Sequence, residues 1–443
     1  MQKSLILVVL VSLLVSCVVA DDTLELALVL FRHGDRTPLH YLPDPYNIFS
    51  KAPRQTGQLT TIGQKQHFDL GTKLRYKFVD QHSLLSSSFN NSQILVRSTG
   101  TDRTIMSAYS NLLGLYPPGT GNPDLPDQIQ PVPIRSVSHT PWENLPDRLL
   151  RPFDLGTCPR ITKLRSEIFA SSAVKAYDKS QAGLYNTLKT KLGLGWTPSL
   201  EHIDEVYDPL MVMHFHNNPM PAGLTAAEYE AVDAVHQHLT HTQVGEYKSE
   251  ISKLLGTNIG REWTSEIDAV MAGTPNATVV YYSAHDSTIE FTLRWLGVFP
   301  DTRVVPYASL LEVDLWKNDD GDYYLHFAFN NDTLSIPGCT GDKCTVAEWK
   351  ALMDQITVKD WDSACGLVPA PTPAPVVKTV HSGIPPLVFV VVVVVMLVGM
   401  GVMCVAAFSA GVGMRVWKMK HDSDKKGVEE PLLADVVEND TLV

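Results

Sequence analysis

Basic residues are in short supply in this chain. Lysine and arginine number 36 against 48 aspartates and glutamates, giving a formal net charge of −12. No stripe of basic residues with interleaved aromatics occurs. This excludes nucleic acid as a partner, although an acidic body can still bind anions in a locally positive pocket. Cysteine is equally sparse, with six in 443 residues. Cys17 and Cys404 fall in long apolar runs, which leaves Cys158, Cys339, Cys344 and Cys365. No histidine stands at finger-like spacing from these four, so a structural zinc site is the weaker rival reading. His236, His238 and His241 lie within one helical pattern. His238 and His241 share a face, but no carboxylate completes a metal motif there.

Long uncharged stretches occur only at the two ends. Residues 1–20 read as a signal peptide, with Lys3, an apolar core from Leu5 to Val15, and Val18-Val19-Ala20 as the cleavage site. Leu387 to Ala407 carries no charge and is long enough for a bilayer core. Arg415, Lys418, Lys420, Lys425 and Lys426 follow it, which marks the cytoplasmic side. The expected organisation is type I: signal peptide 1–20, folded body 21–367, Pro-rich stalk 368–384, transmembrane helix 385–412 and cytoplasmic tail 413–443. The body then resides in the secretory pathway, where four cysteines form disulfides. Of the three pairings, Cys339–Cys344 closes a short loop and is favoured locally, leaving Cys158–Cys365. Asn90, Asn276 and Asn331 are glycosylation acceptors. In the tail, Glu429-Glu430-Pro431-Leu432-Leu433 resembles an acidic dileucine signal. It is either a binding site for sorting adaptors or a polar tail with two leucines by chance.

One stretch organises the body. Leu26 to Phe31 is an unbroken apolar run that reads as a buried strand. It runs into Arg32-His33-Gly34-Asp35-Arg36-Thr37-Pro38. Two guanidinium groups flanking one imidazole form a phosphate cradle, because each presents a planar fork of donors. Two more strand-to-helix corners follow. Gln93-Ile94-Leu95-Val96 leads into Arg97-Ser98-Thr99-Gly100-Thr101-Asp102-Arg103-Thr104, and Thr278 to Ser283 leads into Ala284-His285-Asp286. Strand ends aimed at helix N-termini are where α/β sheets place ligands. A helix from about Thr60 to Lys77, with Ile62, Gln66, Leu70 and Leu74 on one face, follows the first corner. Residues 161–273 are mostly helical, with a capping box at Thr225-Ala226-Ala227-Glu228.

The three corners together resemble the histidine acid phosphatases, the secretory branch of the histidine phosphatase superfamily, over nearly the whole body from Leu24 to Cys365. The resemblance implies an α/β fold: a central mixed β-sheet flanked by helices, phosphoglycerate mutase-like, with an all-α cap inserted at about 160–273. It implies hydrolysis of small phosphate monoesters with no cofactor and no metal. His33 is then the nucleophile and forms a phosphohistidine, and Asp286 is the proton donor. Arg32, Arg36, Arg97 and His285 bind phosphate. The lysosomal and prostatic members carry similar disulfide pairs, which supports the pairing above. Gly100 replaces an acidic residue of the family pattern. A phytase-like specificity, or a non-catalytic receptor for phosphorylated ligands, are the rival readings. Endosomal or lysosomal membrane and cell surface both fit the topology, and a homodimer stays open.

Overall fold

The structure is a computed structural model that describes residues 22–49, 56–137, 139–140, 143–154, 156–221, 223–299 and 305–367. The signal peptide, stalk, transmembrane segment and tail expected from the sequence lie outside the described residues. No helix among the described residues is long and apolar enough to cross a membrane.

The strands are β1 (Thr23–Arg32), β2 (Ile94–Ser98), β3 (Ile134–Ser136), β4 (His139–Thr140), β5 (Glu143–Asn144), β6 (Val279–Ala284), β7 (Leu310–Lys317), β8 (Tyr323–Phe329), β9 (Asp332–Thr333) and β10 (Cys344–Thr345). Eight of them form one mixed sheet, ordered β10-β8-β7-β1-β6-β2-β3 with β9 on β8, while β4 and β5 pair separately. The β1, β6, β2 and β3 neighbours run parallel, while β7 runs antiparallel to β1 and β8 antiparallel to β7. Arg32 stands opposite Ala284, and Ser98 opposite Ser283. The three expected corners therefore lie side by side at one edge of the parallel strands, where such sheets bind ligands.

β1 is buried on both faces, as its apolar run requires. Val29 and Phe31 pack with Leu74, Phe78, Leu112 and Tyr281 on one side. Leu26, Leu28 and Leu30 pack with Trp263, Trp295 and Tyr282 on the other. The helices are α1 (Thr61–Arg75), α2 (Asp102–Leu115), α3 (Pro159–Phe169), α4 (Ser172–Ser180), α5 (Ala182–Lys191), α6 (Asp204–Phe215), α7 (Ala226–Val244), α8 (Glu250–Met271), α9 (Asp286–Leu296), α10 (Val346–Ile356) and α11 (Trp361–Cys365). The helical insertion divides between two cores. Ile161 of α3 and Trp263 of α8 join the sheet's core. Leu188, Ile203, Leu210, Val232 and Leu239 form a separate cap core from α5, α6 and α7.

The buried face of α1 differs in part from the expected one. Gly63, His67, Gly71 and Leu74 face inward, while Ile62 is 46% exposed. The reason is close approach: a Cβ on Gly71 would lie 1.9 Å from the Asn111 carbonyl of α2. Small residues make this contact, so Ile62 is left outside while Leu74 is buried and Leu70 packs against the core as expected. The capping box at Thr225 and Glu228 is present. The three α7 histidines are engaged separately: His236 with Asp204 and the Tyr207 ring, His238 with the Tyr177 ring, and His241 with Glu246 and Arg294.

Disulfides join Cys158 to Cys365 and Cys339 to Cys344. The first ties the start of α3 to α11. Asn90, Asn276 and Asn331 are all exposed.

Candidate active site

His33 follows directly on β1 and stays in register, its N–H donating to the Ala284 carbonyl at 2.9 Å. The side chain is 1% exposed. Its Nδ1 bonds the Gly34 carbonyl at 2.8 Å. A carbonyl only accepts, so the proton sits on Nδ1 and Nε2 keeps its lone pair. Burial, then the charges of Arg103, Arg32 and Arg36 with the His285 ring, hold the imidazole well below its usual pKa. A neutral ring with an unprotonated Nε2 is a nucleophile. The turn that places it needs Gly34, where a Cβ would lie 2.4 Å from the Gly63 carbonyl. Behind the loop, buried His67 bonds the Arg32 carbonyl at 2.9 Å, and burial lowers its pKa to about 4 despite that bond. It is a neutral brace.

Three guanidinium groups surround His33. Arg32 donates to the Val305 carbonyl, lies 2.8 Å from the Asp286 carboxylate, and stacks 4.1 Å over the Tyr307 ring. Arg36 is paired with Asp208 at 2.7 Å. Burial disfavours its charge, but the Asp208 carboxylate more than offsets this. Arg103, in the first turn of α2, donates to His285 Nδ1 at 3.2 Å. Burial, then Arg36 and Arg151, pull it down to about 9, still charged at neutral pH. The Nε of each of these arginines is buried without a hydrogen-bond partner. Unsatisfied buried donors are costly, and three of them on cations around one imidazole suit an oxyanion with several oxygens.

His285 caps α9, and its Nε2 donates to Thr99 Oγ1 at 2.9 Å. Thr99, Thr101 and Thr104 are mutually bonded at 2.8–3.0 Å. With Arg103 donating to Nδ1, the ring is neutral, and burial followed by the neighbouring arginines lowers its pKa strongly. It makes a T-shaped contact with the His33 ring, centroids 5.6 Å apart. Asp286 opens α9. Burial raises its pKa, but Arg32, Arg36 and the Ser287 N–H outweigh this and leave it below the usual carboxylate range. The site thus holds two neutral imidazoles, three guanidinium groups and the ionised Asp286 carboxylate.

The family profile described as histidine phosphatase superfamily (branch 2) matches residues 23–330. The chain belongs to that family. Among curated proteins, this branch-2 histidine phosphatase is 31% identical over 373 residues to lysosomal acid phosphatase of Xenopus laevis, covering 81% of this chain and 83% of that protein. It is 30% identical to lysosomal acid phosphatase of Homo sapiens (80% and 83% covered) and to prostatic acid phosphatase of Bos taurus (78% and 88% covered). Among solved structures, a phytase from Citrobacter braakii aligns with TM-score 0.57 at 15% identity, covering 78% of this chain and 99% of that one. Apo Hafnia alvei phytase aligns equally well, at 16% identity, covering 78% and 98%. These structures share the fold.

Within this histidine phosphatase, Arg32, His33, Arg36, His285 and Asp286 are brought together as the sequence led one to expect. Arg97 is not. It is a residue of β2, flanked by buried Val96 and Ser98, so alternation sends its side chain to the other face of the sheet. There it is one-third exposed and 3.9 Å from Glu262 of α8. Arg103, six residues on and inside α2, takes the expected place beside His33. The overlooked signal was a second arginine at a helix N-terminus. Asp208 and Tyr307 were also missed, since they reach the site from segments with no motif of their own, while the threonine set lies inside the second corner and was given no role there. Replacing Arg103 with alanine is expected to lower kcat/KM for an aryl phosphate by roughly 100-fold or more, the scale of one lost oxyanion donor. Arg97→Ala should stay within about 3-fold of the parent, since surface substitutions away from a site seldom matter. Steady-state kinetics on the two variants checks this.

Proposed function

We propose that the protein is a membrane-anchored acid phosphatase that hydrolyses phosphate monoesters through a phosphohistidine on His33. The observation that carries this is the Nδ1–Gly34 bond, which leaves Nε2 free among three guanidinium groups with unpartnered Nε donors. Arg32, Arg36 and Arg103 hold the non-bridging oxygens, and His33 Nε2 attacks phosphorus in line with the leaving oxygen. The P–O bond breaks as Asp286 gives its proton to the departing alkoxide. Water then attacks the phosphohistidine, Asp286 takes a proton from it, the P–N bond breaks, and phosphate leaves. Charge on the transferring group is balanced by the arginines, and Nδ1–H stays bonded to Gly34 throughout.

Asp286 must be protonated to act first as an acid, yet Arg32 and Arg36 hold it ionised in the free enzyme. The substrate resolves this. Its phosphate takes over the guanidinium charges, and a monoanionic ester, abundant below its second pKa of about 6, brings the proton the pair must share. Activity is therefore expected to fall as pH rises above about 6, which suits a secretory or lysosomal compartment.

The leaving-group chamber favours simple monoesters over a phytase-like specificity. A cleft of about 300 Å³ between cap and sheet adjoins Asp286. Its ionisable acidic and basic lining among the described residues is Asp204, Asp208, Asp286 and Glu290 against Arg36, Arg294, His40 and His236, the last bonded to Asp204. Both arginines are already paired with carboxylates. Further phosphate groups on a substrate would face carboxylates there. A receptor role is disfavoured because nucleophile and proton donor are both present. The test is phosphate release at pH 5 from an aryl phosphate, a sugar phosphate and inositol hexakisphosphate, with and without chelator. Chelator-insensitive turnover of the first two, at least 10-fold above the third in kcat/KM, is expected. Faster turnover of inositol hexakisphosphate would replace this reading by the phytase one.

A signal peptide at 1–20, the 385–412 span and a cytoplasmic 413–443 tail complete the proposal, with the body lumenal or extracellular and Asn90, Asn276 and Asn331 available for glycosylation. The Glu429–Leu433 segment serves as the adaptor signal in this reading.

A further inference from the structure

One cap helix holds the Arg32–Pro38 loop at Asp35 and Arg36 and reaches Arg32 through Tyr307. On α6, Asp208, Met211 and Phe215 recur at helical spacing and form one stripe. Asp208 Oδ1 is 2.7 Å from Arg36, with both side chains buried. Its Oδ2 accepts the N–H groups of Leu39 and His40, the next turn of the same loop. Met211 Sδ receives the Tyr307 hydroxyl at 3.8 Å, and Phe215 meets the Tyr307 ring edge-on at 5.0 Å. Tyr307 in turn carries the Arg32 guanidinium on its face. His216, which caps the helix, bonds the Asp35 carboxylate at 3.0 Å. Asp35 is fully buried, and its other carboxylate oxygen accepts from the Thr60 hydroxyl.

Two adjacent loop residues, Asp35 and Arg36, are thus gripped by two residues of a single cap element. The effect on Arg36 is directional. Asp208 holds one terminal nitrogen and the Thr37 carbonyl the other, so the fork is turned and the unpartnered Nε is left for an anion. A guanidinium on a long stem loses this orientation without such anchors. The His216–Asp35 contact does the same for the backbone between His33 and Arg36.

We propose that Asp208 and His216 are positioning residues, and that α6 sets the phosphate affinity of the cradle by fixing Arg36 and Asp35. The inference rests on the phosphatase reading for its catalytic consequence, but phosphate binding tests it separately. The experiment uses the full-length protein in detergent at pH 5, with inorganic phosphate binding followed by calorimetry and aryl phosphate kinetics alongside. Asp208→Asn should weaken inorganic phosphate binding at least 10-fold and lower kcat/KM at least as much. His216→Ala should weaken binding several-fold, and His216→Gln, which keeps a donor toward Asp35, should recover most of that loss. Melting midpoints identify any variant that has not folded; if Asp208→Asn is one, the two His216 variants decide alone. Phosphate affinity within 2-fold of the parent in folded Asp208→Asn, or equal behaviour of His216→Ala and His216→Gln, overturns the proposal. A parent that binds phosphate with the expected variant pattern, yet releases none from esters, sinks the catalytic reading and leaves this one standing.

Discussion

Replacing His33 with alanine should abolish phosphate release, with kcat/KM lower by a factor on the order of 10⁴ or more, as for other lost nucleophiles. No other group can take its place. His285 lies nearest, but both of its ring nitrogens are engaged, by Thr99 and Arg103. The loss should appear in kcat. Inorganic phosphate binding should survive, because Arg32, Arg36 and Arg103 remain. The control is therefore calorimetry: a His33→Ala protein that still binds phosphate but turns over nothing separates chemistry from folding. Activity within 10-fold of the parent would dismiss the covalent mechanism.

Asp286→Asn carries the second large effect, and its size should depend on the leaving group. General acid catalysis contributes roughly 10²–10⁴-fold, but only where the leaving oxygen needs a proton. Loss is expected to be on the order of 10³ for an alkyl phosphate and far smaller for a p-nitrophenyl ester, whose anion departs unaided. The variant also removes the carboxylate 2.8 Å from Arg32. Anion binding should then tighten, since phosphate no longer displaces a competing charge. Equal loss across good and poor leaving groups, or weaker phosphate binding, would contradict the assigned role. For pH, Asp286 has a lowered pKa in the free enzyme, so its ion pair with Arg32 is lost only as pH falls through that depressed value. The fall in activity above about pH 6 must then come from loss of the proton shared in the enzyme–substrate complex, and Asp286→Asn should flatten that limb.

What could be read in the sequence was local. Each corner pairs a buried strand with a polar turn, so β1, β2 and β6 and the residues at their ends were visible from apolar runs alone. The choice between Arg97 and Arg103 was not. Both lie in one eight-residue segment, and which one faces His33 depends on where the strand stops alternating and the helix starts. The α1 face was read only in part, at Leu70 and Leu74, because it also packs through Gly63 and Gly71, which leave no hydrophobic signature. Asp208 and His216 were invisible for another reason: their partners, Arg36 and Asp35, are more than 170 residues away in the chain. The histidines of α7, whose spacing carried no complete metal motif, turn to different partners.

The most direct test of the central claim is to trap the intermediate. Protein mixed with ³²P-labelled aryl phosphate and quenched in alkali within milliseconds should carry label that is stable to base and lost in acid, as a phosphoramidate is. Mapped to a peptide, the label should sit on His33, be absent from His33→Ala, and accumulate in Asp286→Asn with an activated ester because the attacking water lacks its base. Turnover without such label, or label on any other residue, would contradict the mechanism.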